Sequence, residues 1–298
     1  PLTIGRMETT AFGDGGADTI NATAGNDIVL GGHLGDTIKV GEGNNIVLGD
    51  DGAIDYVRAE REPGVPGADL DASDIDLIAS LSTTAGGGID DIDSGSGDDI
   101  LIGGRFGDTI DSLGGNNLVI GDSGMITAAN DNLSRFGNIA LTIGRMETIA
   151  FGDGGVDTIN TGSGRDIVFG GQARDEIHVG DGNNVVIGDL GFIDYVIDDG
   201  EHTSRPTNFD IDRIETTQPD LGGIDWITSG IGTDIIIGGE DGRISLVELA
   251  LNAGPAEATT RRDDDATTNS VGRIGDVIDA GRGSNLVLGD NGHILSAV

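Results

Sequence analysis

From Gly13 to Val57 the chain repeats every nine residues without insertion, as GDGGADTIN, ATAGNDIVL, GGHLGDTIK, VGEGNNIVL and GDDGAIDYV. Small residues crowd the first four places of a unit, Asp or Asn holds the sixth in the first four units, and Ile or Val holds the eighth. Glycine accepts positive φ and close backbone approach, so the first places make a tight turn, and the β-branched residues after it make a short strand. Turn and strand alternating every nine residues wind into a coil of stacked strands.

The same block of five units recurs. A second runs from Ala85 to Ala129, a third from Gly152 to Val196, and a fourth starts at Asp220. A leading segment, PLTIGRMETTAF, returns as LTIGRMETIAF at 141–151, so the chain reads as two copies of a two-block unit. The expected divisions are 1–57 (leading segment and block 1), 58–129 (linker and block 2), 130–196 (linker, leading segment and block 3) and 197–298 (linker and block 4). Block 4 is interrupted at about 240–270. The insertion opens with the apolar ISLVELAL, read as a helix or strand against the coil, and its RRDDDATTN part is read as exposed loop. The fold class is therefore all-β, a parallel β-roll or β-solenoid in four five-unit blocks.

Odd and even units lie on opposite sides of such a coil. Odd strands alternate in polarity, as Thr19, Ile20, Asn21 and Thr37, Ile38, Lys39; even strands do not, as Ile28, Val29, Leu30 and Ile46, Val47, Leu48. The middle residue of each strand points inward and its neighbours outward. The even sheet is thus apolar on both faces, and something must cover it: a neighbouring block, a linker or another molecule. Self-association through these apolar even faces, or contact with neighbouring repeats of the same chain, is the expected partnership.

Composition narrows the function. The formal charge is −36, from 52 acidic and 16 basic residues, which repels phosphate backbones and argues against nucleic acid. So many carboxylates at short repeat distance are unfavourable unless cations sit between them. With no cysteine, neither disulfide nor thiolate site is available to staple the chain. No stretch is apolar enough for a membrane span, no signal peptide is visible, and the start at Pro1 suggests an excerpt.

Calcium takes six to eight oxygens from carboxylates and backbone carbonyls in tolerant geometry. The sixth-place acids Asp18, Asp27, Asp36, Asp90, Asp99, Asp108, Asp157, Asp166, Asp175, Asp225, Asp234 and Asp276 are the first metal candidates. The fourth unit of each block has Asn45, Asn117, Asn184 or Asn285 instead. The fifth moves its acid to the second place, as Asp50, Asp122, Asp189 and Asp290, and puts an apolar residue at the sixth. Sites on those late units are expected to be weaker, differently built or empty. Asp18 is expected to share a site with the turn of Asp36, and Asp27 to face the turn of Asn45.

SGSGDDILI at 94–102 and TGSGRDIVF at 161–169 resemble the nonapeptide of the RTX, or hemolysin-type, calcium-binding repeats. The resemblance covers about 180 of the 298 residues in twenty phased units. It implies a right-handed parallel β-roll with multiple calcium ions in both rows of turns, unfolded inside the cell and folded outside. The third unit departs from the pattern, with Leu34, Phe106, Ala173 or Ile274 at the place of the fourth glycine.

Enzyme signals are weak. GDSG at 121–124 matches a serine-protease nucleophile loop in letters, but the other blocks put Asp51, Leu190 and Asn291 where Ser123 stands. The four histidines lack zinc spacing, and Trp226 is read as a packing residue. The chain is expected not to be an enzyme but a calcium-binding structural segment of a large secreted or cell-surface bacterial protein, such as an adhesin, filament or surface layer, with a surface or glycan ligand unidentified. The alternative is the RTX portion of a secreted hydrolase or toxin whose catalytic domain lies outside this chain. A third reading is a salt-adapted solenoid without specific metal.

Overall fold

The computed structural model describes residues 4–62, 71–81, 86–129, 135–196, 211–239 and 276–295. The ISLVELAL and RRDDDATTN insertion and Ile274, with what is expected of them, lie outside these residues. The described residues are almost wholly strand and turn, apart from one four-residue helix, Arg58–Arg61.

Three eight-stranded sheets account for nearly all the strands. The odd sheet is parallel and holds Thr19–Asn21, Thr37–Gly41, Asp91–Ser94, Thr109–Asp111, Thr158–Asn160, Glu176–His178, Trp226–Thr228 and Val277–Asp279. The even sheet, also parallel, runs from Ile28–Gly32 through Ile46–Asp50, Ile100–Gly104, Leu118–Asp122, Ile167–Phe169, Val185–Ile187 and Ile235–Ile237 to Leu286–Leu288. Ile38 lies beside Ile92 and Val47 beside Leu101 even where two blocks meet, with one bulge after Lys39. The four blocks therefore stack end to end, and their boundaries leave no break in the sheets.

The third sheet is antiparallel and covers the even sheet. Its strands are Arg6–Glu8, Gly52–Asp55, Leu77–Ser80, Gly124–Ala128, Ile143–Thr148, Gly191–Asp194, Arg213–Thr216 and His293–Leu295. Fifth units here alternate with leading segments and linkers. This corrects the simple odd-and-even reading, in which a fifth unit would join the odd sheet. The apolar sixth-place residues Ile54, Ile126 and Ile193 are instead withdrawn from the coil and buried against the even sheet.

Two cores result from one pleat rule. Middle residues of the two parallel sheets meet inside the coil, Ile38, Ile92, Ile110, Ile159 and Ile177 against Val47, Leu101, Val119, Val168 and Val186. The outer residues of the even strands, such as Ile46, Leu48, Ile100, Ile102, Leu118 and Ile120, pack against Ile54, Ile78, Ile126, Met146, Ile193 and Ile214 of the covering sheet. The cover that the sequence requires is thus supplied by the chain's own linkers, leading segments and fifth units. Each such aliphatic side chain contributes about 1.5–3 kcal/mol, which explains how a chain with 3% aromatic residues holds together.

Trp226 stands partly exposed on the outer face of the odd sheet, between Glu176 and Val277 on the neighbouring strands.

Candidate metal centre

The coil has two edges, each a row of stacked turns. At one edge the chain passes from even strand to odd strand, and every turn carries an Asp at the sixth place. Asp18 donates its backbone N–H to Asp36 Oδ1 at 2.7 Å, Asp36 to Asp90 at 2.7 Å, Asp90 to Asp108 at 2.8 Å and Asp108 to Asp157 at 2.6 Å. The row continues from Asp157 to Asp175, Asp225 and Asp276. Partners are 18 residues apart within a block and 49 to 54 apart across a linker, yet the bond is the same. Asp18 is therefore joined to the turn of Asp36, as its spacing predicts.

From Asp36 on, one carboxylate oxygen of each Asp is spent in this ladder. The other, Oδ2, is buried in Asp36, Asp90, Asp108, Asp157 and Asp175 and accepts no hydrogen bond. An orphaned buried carboxylate oxygen is costly and calls for a partner the protein itself does not supply. The glycine positions show what lies around it. A Cβ built on Gly31 would collide with both Asp36 Oδ2 and the Gly49 carbonyl. On Gly49 it would meet Asp90 and the Gly103 carbonyl, and on Gly103, Asp108 and the Gly121 carbonyl. Gly121, Gly170, Gly188 and Gly238 repeat the cradle beside Asp157, Asp175, Asp225 and Asp276. Carboxylate and carbonyl oxygens thus converge at every turn of this row.

Electrostatics agree. Burial raises the carboxyl of Asp90 to about 7, with Asp36 adding repulsion. Burial also pushes Asp108, Asp157 and Asp175 well above the usual carboxylate range, and the neighbouring acids of the row push the same way. The row is a line of acids that cannot all be charged without cations between them.

At the opposite edge the chain passes from odd strand to even strand, and Asp alternates with Asn. Asp27 donates to Asn45 Oδ1 at 3.0 Å, Asn45 to Asp99 at 2.8 Å, Asp99 to Asn117 at 3.2 Å and Asn117 to Asp166 at 2.9 Å, and the ladder goes on through Asn184, Asp234 and Asn285. Here the amide nitrogen fills the turn. Asn45 Nδ2 donates to the carbonyls of Gly41 and Gly43 and to Asp99, and Asn184 Nδ2 to the Gly180 carbonyl and Asp234. Asp166 and Asp234 spend their second oxygens on the hydroxyls of Thr161 and Ser229. Asp27 and Asp99 keep a buried orphan Oδ2.

The fifth-unit acids are built differently again. Asp50 accepts the backbone N–H of Gly88 on one oxygen and of Arg105 on the other. Asp122 does the same with Gly155 and Gln172, and Asp189 accepts from Gly223. These side chains rivet one block to the first and third turns of the next. Burial raises Asp50 and Asp122 to about 8, against the pull of those hydrogen bonds. Asp290, at the last turn, is exposed.

Carbonyl oxygens were expected from the Gly-rich turns, and those beside the Asp Oδ2 atoms belong to the first-place glycines of third and fifth units, the fixed Gly at 49, 103, 121, 170, 188, 238 and 289. One part was not foreseen. Asp153 is buried and accepts the Ser123 hydroxyl at 3.1 Å, so the hydroxyl of the protease-like GDSG is tied to a turn.

No three acidic or histidine side chains converge on one point among the described residues, so each site draws mainly on backbone carbonyls. A hard cation that prefers oxygen fits that donor set, and calcium tolerates its irregular geometry. No helix of the described residues is long and apolar enough to cross a membrane. No curated protein and no solved structure gives a significant match to the chain. A family profile, the RTX calcium-binding nonapeptide repeat in four copies, matches residues 9–33, 35–53, 84–110, 93–124 and 151–191. The ladders carry the same turn chemistry on to Asn285; RTX calcium-binding nonapeptide repeats are present between residues 9 and 191, and the fold is an all-β parallel β-roll.

Proposed function

We propose that this chain is a calcium-stiffened rod, a structural segment of a large secreted or cell-surface protein that folds when it meets calcium outside the cell. The observation that carries the reading is the row of buried, unbonded Asp Oδ2 atoms facing glycine carbonyls. Calcium at these positions would be held by Asp36, Asp90, Asp108, Asp157 and Asp175 with the first-place glycine carbonyls, and would neutralise acids that otherwise repel. Binding to the folded state alone adds stability, by about 2.7 kcal/mol per site at a hundredfold excess over Kd. The reading assigns the chain no catalytic role. Its one protease-like motif is a structural turn, with Ser123 bonded to Asp153.

A mechanical role is supported by sheets that run unbroken through four blocks. Self-association belongs to the ends of this rod rather than to the even faces, which the covering sheet buries. Leu286, Val287 and Leu295 of the last strands are exposed where a further layer would cover them, and another copy or further repeats would continue the stack.

The test is a calcium titration followed by circular dichroism and small-angle scattering, with magnesium and chelator as controls. A cooperative gain of β signal together with an elongated particle, given by calcium and not magnesium, is expected. A chain equally folded in chelator contradicts the reading.

A further inference from the structure

The basic residues are few, and most of the described ones are paired with an acid. Arg6, Arg58, Arg61, Arg105, Arg145 and Arg213 each pair with an acid. Arg135 and Arg165 form no ion pair within 4.0 Å among the described residues, and both line one cavity of about 430 Å³. It opens where the covering sheet meets the edge of the even sheet, at the join of blocks 2 and 3.

Its wall is apolar. Phe136, Ile167, Tyr195 and Ile211 are core-packed side chains left only partly buried there, and Ile143 and Val185 close the floor. Asn116 and Asn183 stand on the rim, each with its side-chain oxygen already accepting a backbone N–H from the next turn. A chain of net charge −36 repels anions over most of its surface. Arg135 and Arg165 place two guanidinium groups beside this apolar cavity, with Asp98 against Gly137 and Asp71 near Arg135, and guanidinium binds carboxylate in a matched planar fork. The volume falls in the range of small-molecule sites.

We propose that this cavity binds an amphiphilic carboxylate, with the apolar body against Phe136, Ile143, Ile167 and Val185 and the carboxylate between Arg135 and Arg165. The inference is independent of the calcium sites, since none of the pocket's lining residues is one of the sixth-place acids.

The probe is dansyl-undecanoate at micromolar concentration, added to the calcium-folded chain and read by fluorescence, with its methyl ester as the neutral control. Saturable binding is expected. Arg165→Gln and Arg135→Gln should each weaken it about tenfold, and the ester should bind at least tenfold more weakly than the acid. Arg174→Gln, which removes an exposed charge on the opposite edge, should leave binding unchanged. Circular dichroism in calcium verifies that each variant is folded, which separates failure of this site from failure of the roll. Equal weakening by Arg174→Gln, or equal binding of the ester, overturns the proposal. So does a wild-type chain that binds nothing.

Discussion

The two edges of the coil solve the same backbone problem with different chemistry. Both stack turns through a sixth-place side chain that accepts the backbone N–H of the turn before it. In the all-Asp edge the second oxygen is left buried and unbonded in five successive acids. In the alternating edge Asn45 and Asn184 point an amide at the turn carbonyls, and hydroxyls of Thr161 and Ser229 serve the acids. An amide N–H does internally what a cation must do from outside. On the proposed reading, the calcium dependence of this roll would be concentrated on one edge, with the other partly self-sufficient although Asp27 and Asp99 keep an unbonded oxygen there.

The largest effect expected is from removing calcium altogether. Chelator should abolish most of the β signal and the cooperative thermal transition, because several buried acids lose their counter-charge at once. Retention of the full signal would break the comparison at its base.

Exchange of single side chains sharpens it. Asp175→Asn in the all-Asp edge should lower the calcium stoichiometry and cost about 2.7 kcal/mol in excess calcium, yet make the chelated chain more stable than wild type, as a neutral amide removes a repelled, buried charge. Asn184→Asp in the other edge should do the reverse in chelator. Denaturant titrations with and without calcium read both, and the crossing of the two variants is the signature.

The pH dependence follows from the raised carboxyls. A group whose pKa is higher folded than unfolded holds more protons when folded, so stability falls as pH rises from the ordinary value of 3.8 through the folded one. With Asp166 at about 6, Asp90 at about 7 and Asp50 and Asp122 at about 8, the chelated chain should gain structure on acidification from pH 8 to 4. Calcium binding at neutral pH should release protons, measurable by calorimetry in buffers of different ionisation heat. Calcium-independent stability that rises with pH would contradict this.

The smallest effect concerns the backbone. Leu34 and Ala173 hold φ of 70° and 79° at the place where the other units have glycine. A left-handed conformation costs a non-glycine residue roughly 1–2 kcal/mol, so Leu34→Gly and Ala173→Gly should each stabilise the calcium form by up to about 1 kcal/mol after the glycine entropy is counted. Thermal melts of the variants decide it.

Much of this was legible in the sequence. The nine-residue period gave the turns and strands, and the all-apolar even strands such as Ile46, Val47, Leu48 required a cover. What covers them was not legible, because fifth units such as GDDGAIDYV keep the period while Ile54 at the sixth place takes them out of the coil and into an antiparallel sheet. Nor could spacing tell that Asp50 would spend both oxygens on backbone N–H groups of residues 88 and 105, since those partners lie across a linker of no fixed length. The Asp-to-Asn alternation was visible as letters, but its meaning depended on where the amide nitrogen lands.

The central claim is that cations occupy the all-Asp edge in preference to the other. Crystals grown in calcium, with an anomalous difference map at long wavelength, test it most directly. Peaks beside Asp36, Asp90, Asp108, Asp157 and Asp175, with none in the turns of Asn45 and Asn184, are the predicted result; equal peaks along both edges, or none at the all-Asp edge, would contradict it.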